Sequence, residues 1–189
     1  MIKGEELSGY ERFGETVVFL SEFLHETDRA AVVLGGAKLD LLLHRILQKH
    51  FLSPIKSDTD PLLDQSLPLG SFGPKIDIAY RVGLIDSEFA KVLHLFRKIR
   101  NDFAHEVVNC DLNNQANQSR MKELVAPFVD SDWYKHLKED TTKNTTLTGV
   151  SLDFRVILGM TVVQLNALYG LCPKVSSDKA MPILLPPRN

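Results

Sequence analysis

The sequence predicts an all-α fold: a single-domain bundle of about six to eight helices, without a substantial sheet. Three observations carry this. Apolar residues recur at steps of three and four along most of the chain. No stretch alternates at two residues for long enough to build a sheet. The chain has 189 residues, 44% of them hydrophobic and 24% charged, which suits one domain around one core. Residues 1–172 are expected to form the helical domain, and residues 173–189 an extended, proline-rich tail.

Leu7 to Leu24 reads as a first helix, with Tyr10, Phe13, Val17, Leu20 and Leu24 inward and Glu11, Glu15 and Glu22 outward. Thr27-Asp28 signals the cap of a second, Asp28 to Phe51. This helix is apolar nearly all round, with one stripe of Leu34, Leu41, Leu42 and Ile46 and another of Val33, Ala37, Asp40, His44, Leu47 and Phe51. Such a helix is normally central, so Asp40 and His44 should be partly buried. A buried carboxylate needs a partner, and Arg97 or Arg100 is the expected one. Gly35-Gly36 should permit close helix packing.

Ser53 to Gly70 is a connection, because three prolines and a Ser-Asp-Thr-Asp run exclude regular structure. Leu62, Leu63 and Leu67 should pin it down. Ser71 to Gly83 reads as a short helix: Ser71 can cap it, Pro74 fits its first turn, and Ile76, Ala79, Tyr80 and Gly83 form its inward line. Gly83 stops it, and Asp86 caps the next helix to close a hairpin. Further on, a helix is expected from about Ser119 to Phe128. Trp133, Tyr134 and Leu137 form a short apolar patch, and Lys138 to Thr148 a hydrophilic loop. Ser151 to Leu171 is the last strong helix, central, and ended by Pro173.

Composition excludes several classes. Net charge is -2, whereas a protein that wraps nucleic acid by charge alone is clearly basic. Cys110 and Cys172 form no CxxC pair or zinc pattern and read as reduced thiols. The N-terminus lacks the apolar run of a signal peptide. Val156 to Leu171 is broken by Gln164 and Asn166 and is short for a bilayer span. A cytoplasmic protein without membrane, metal or cofactor is expected.

Chemically capable residues converge in one stretch, Glu88 to His105. Phe89, Val92, Leu93, Leu95, Phe96, Ile99 and Phe103 fall on one face of a helix. His94, Arg97, Lys98, Asn101 and His105 fall on the other, with Arg100 on the shoulder between. A guanidinium can hold a phosphodiester, and an imidazole can act as acid or base near neutral pH. Arg100, Asn101 and His105 resemble the R-N-x3-H motif of the HEPN superfamily of helical ribonucleases and RNA-binding modules. The competing reading is structural, with Arg100 paired to Asp40 while Asn101 and His105 serve the helix's carbonyl end. Lys91, Arg97, Lys98 and Arg100 form a basic stretch, but no helix-turn-helix pattern precedes it, so direct reading of DNA is not expected.

The run LGSFGPKIDIAYRVGLIDSEFAKVLHLFRKIRNDFAH, Leu69 to His105, is similar to the signature of the mannitol operon repressor family of bacterial proteins. Lys75-Ile76-Asp77, Ala79-Tyr80, Gly83-Leu84-Ile85 and Arg97 to His105 agree in type and spacing. The resemblance implies an all-α fold and repression of mannitol utilisation genes. The family lacks a recognisable DNA-binding motif, which implies action through another regulatory protein. The apolar helices also allow a homodimer. Under the alternative, a metal-independent ribonuclease or RNA-binding module, RNA is the partner and Arg100, Asn101 and His105 are the working residues.

Overall fold

The computed structural model describes residues 9–55, 60–64, 66–105 and 111–176, and among them the regular structure is seven helices with no strand. They are α1 (Gly9–Phe23), α2 (Asp28–His50), α3 (Phe72–Arg81), α4 (Ser87–His105), α5 (Gln115–Val125), α6 (Asp132–Asn144) and α7 (Gly149–Leu171). The all-α bundle is therefore what the apolar periodicity predicts. Helix α2 touches α1, α3, α4 and α7, so it is central. Its start is fixed by Thr27, whose hydroxyl accepts from the Ala30 amide at 3.2 Å, with Asp28 in the first turn and Lys49 and His50 in the last.

Two adjacent glycines set how closely α2 meets its neighbours. A Cβ on Gly35 would stand 2.5 Å from Leu158 Cδ2 of α7, and one on Gly36 would stand 2.7 Å from Arg100 Cγ of α4. Both neighbours approach to distances that a larger residue would forbid. Phe96 of α4 and Phe154 of α7 meet edge to face in the core, with centroids 5.5 Å apart. Gly83 adopts φ 77°, a left-handed turn that glycine tolerates without steric cost, and the Leu84 amide donates back to the Ala79 carbonyl at 2.9 Å. The Asp86 carboxylate then accepts from the Phe89 amide at 2.8 Å, which starts α4 and closes the α3–α4 hairpin.

Several elements differ from the sequence expectation. In α1, Val17 is 48% exposed while Thr16 is buried, because Thr16 faces Asn166 of α7, whose amide donates to its hydroxyl at 3.1 Å. The apolar rhythm named the wrong neighbour, since a small hydroxyl with a partner can enter the core. Leu7 lies outside the described residues, as do the side chains of Glu11, Tyr10 and Phe13. In α2, Leu42 and Ile46 are buried, but Leu34 and Leu41 face outward. In α3, Ile76 and Ala79 point inward, while Tyr80 is 49% exposed and Gly83 is exposed. Ser71 stands at the cap position of α3 without a side-chain cap bond. Of the connection's leucines, Leu63 is buried while Leu62 and Leu67 are not.

The second half shows the largest correction. Residues 138–144, expected as loop, belong to α6. Ser131 caps that helix and Asp132 occupies its first turn. Its inner face is anchored by polar groups: the Tyr134 hydroxyl donates to Asp153 of α7 at 2.7 Å, and Lys138 Nζ reaches the same oxygen at 2.5 Å. Hydropathy cannot signal a helix held this way. Tyr134 is buried but Trp133 is 41% exposed, so the expected apolar patch is divided. Helix α5 starts at Gln115, ahead of Ser119, because the Asn114 side chain caps it by accepting from the Asn117 amide at 2.8 Å.

The core of α7 holds one buried charge. Arg155, 2% exposed, pairs with Asp28 of α2 at 2.8 Å and donates to the Glu26 carbonyl at 2.7 Å. Beyond α7, the Val175 amide donates to the His50 carbonyl at 2.8 Å, so the chain leaving α7 is fastened to the end of α2. The expected tail beyond residue 176 lies outside the described residues, as does Cys110. Cys172 is buried, and burial pushes its thiol up, with nearby Lys49 opposing. In a Cys110→Ser variant, iodoacetamide should therefore label Cys172 slowly under native conditions and fast in denaturant. Fast native labelling, read by mass spectrometry, would contradict this burial.

Candidate functional site

Helix α4 presents its polar edge beside α3 and α2. Because α3 and α4 run antiparallel, Asp77 comes opposite His94 and Gly73 opposite Arg97. His94 Nε2 lies 3.0 Å from Asp77 Oδ1. A Cβ on Gly73 would be 3.5 Å from Cδ, Nε and Cζ of Arg97, so the guanidinium lies over the first turn of α3. Its Nε is buried with no acceptor among the described residues. Lys98 is exposed. The stem of Arg100 is seated on Gly36, and its Nη1 donates to Asn101 Oδ1 at 3.2 Å. His105, the last residue of α4, is exposed.

The expected pairing of Asp40 with Arg97 or Arg100 does not occur. Its partner is Lys75 of α3, with Nζ 2.7 Å from Oδ1. The reason is steric: the two arginine stems are held against Gly73 and Gly36, while Lys75 enters between α2 and α3 and is only 5% exposed. The structural reading of Arg100 as partner of Asp40 is thereby removed. The carbonyl end of α4 is served from elsewhere too, since Arg29 Nη2 donates to the Phe103 carbonyl at 2.8 Å. Sequence reasoning missed Lys75, Arg29 and the Arg120–Asp102 ion pair. Lys75 carried a signal: it sits between Phe72 and Ala79 at steps of three and four, on the buried line of α3.

The cations of the bundle differ in their pairing, and among the described residues Lys38, Lys49, Arg81 and Lys122 contact no carboxylate. Lys75, Lys91, Arg120, Lys138 and Arg155 each contact a carboxylate. Arg97, Lys98 and Arg100 contact none among the described residues. A guanidinium N–H taken from water without an acceptor is costly. Arg97 Nε bears that cost inside the bundle, as Arg155 Nε does in α7.

Behind it, His44 is half-buried near Asp40, Asp60, Asp64 and Lys75, and burial followed by Lys75 pulls its pKa below 6.5. The folded state then binds a proton less readily than the unfolded chain. Stability should fall as pH drops below the ordinary histidine value, and level off once the folded imidazole also titrates. Urea midpoints across this range should show the slope, and His44→Gln should flatten it. An unchanged slope in that variant would refute the assignment.

Among the described residues, no three His, Cys, Asp or Glu side chains gather to hold a metal ion. A separate groove of about 400 Å³ lies between α5 and the start of α7, lined by Met121, Val125, Val129, Val150 and Asp153. Helix α7 is long and apolar enough to cross a membrane by composition, with half of its most apolar window buried inside the bundle. No protein-family model, curated protein or solved structure matches the chain.

Proposed function

We propose that the protein is a transcriptional regulator that acts by binding another protein through the polar edge of α4, in the manner its likeness to the mannitol operon repressors implies. The carrying observation is that Arg97, Lys98 and Arg100, three cations within four residues of α4, contact no carboxylate among the described residues. The edge is also pre-formed. Arg97 and Arg100 lie against Gly73 and Gly36, so little side-chain freedom is lost on docking. Net charge of -2, and a basic stretch in α4 that no helix-turn-helix sequence pattern precedes, speak against direct operator binding.

The test is deletion of the gene in its native host, with transcripts of mannitol utilisation genes as the readout. Derepression on deletion is expected, with restoration by the wild type. A variant carrying Arg97→Gln, Lys98→Gln and Arg100→Gln should fold, by circular dichroism, and fail to restore repression. Unchanged transcripts on deletion would reject the reading.

A second reading, a metal-independent ribonuclease or RNA-binding module, draws on the Arg100–Asn101 hydrogen bond and the exposed imidazole of His105. Five residues along a helix place Arg100 and His105 about 140° apart around the axis, which separates them within one chain. Incubation of labelled RNA with excess chelator should give no cleavage by wild type or His105→Ala. Cleavage lost in the variant would favour the enzyme.

A further inference from the structure

We draw no further inference here: the strongest candidate, the apolar groove of about 400 Å³ between α5 and the start of α7 lined by Met121, Val125, Val129 and Val150, carries nothing, because the carboxylate on its wall, Asp153, is already engaged by Tyr134 and Lys138 of α6 and nothing in the structure shows what covers the groove.

Discussion

Asp40→Leu is expected to lower unfolding stability by about 3–5 kcal/mol, the usual cost of stranding one member of a buried pair. Lys75 is nine-tenths enclosed between α2 and α3, and Asp40 is its ion-pair partner. Without that carboxylate, the ammonium must stay charged in apolar surroundings, lose its proton, or drag α3 outward. The companion variant tests the cause. Asp40→Leu with Lys75→Met removes both charges at similar volume and should recover most of the loss, since well-packed apolar replacements of buried pairs are often neutral. Urea denaturation of the four proteins gives the coupling directly. If the double variant is no better than the single, the ion pair is not what Asp40 contributes.

Asp28→Ala should cost about 3 kcal/mol or more, for a related reason with a different geometry. Arg155 is enclosed by α7, by Phe23 of α1 and by the turn before α2. Its guanidinium serves the Asp28 carboxylate, the Glu26 carbonyl and Ser151 at once. Loss of the carboxylate leaves the other two acceptors but no countercharge. Asp28→Asn keeps an acceptor oxygen at the same place and should cost clearly less. Thermal unfolding that ranks the asparagine variant equal to the alanine one would show that charge is unimportant at this pair. Because Asp28 lies in the first turn of α2, both variants also weaken its interaction with the helix dipole, a contribution of about 0.3–1 kcal/mol.

What could be read in advance follows from which force fixes each element. The core helices were legible because burial of apolar side chains sets them: Phe96, Ile99 and Phe103 of α4, and Leu158, Val162 and Leu165 of α7, all repeat at helical spacing and are buried. The α3–α4 hairpin was legible because its stop and start are local, in Gly83 and Asp86. Helix α6 was not, because Ser131, Tyr134 and Lys138 hold it by polar contacts to its own start and to Asp153. At the candidate site, the residues of the α4 edge were legible from periodicity. Their partners were not: which cation meets Asp40 depends on the lateral placement of α2, α3 and α4, a matter of tertiary distance that spacing along one helix does not encode.

Neighbouring codons for Gly35 and Gly36 govern different properties of the molecule. One residue faces Leu158 and so controls how tightly the hydrophobic interior closes; the next faces the stem of Arg100 and so controls where a surface cation is aimed. Thermal tolerance and the aim of that cation can therefore drift separately, even though the two determinants are consecutive on one helix.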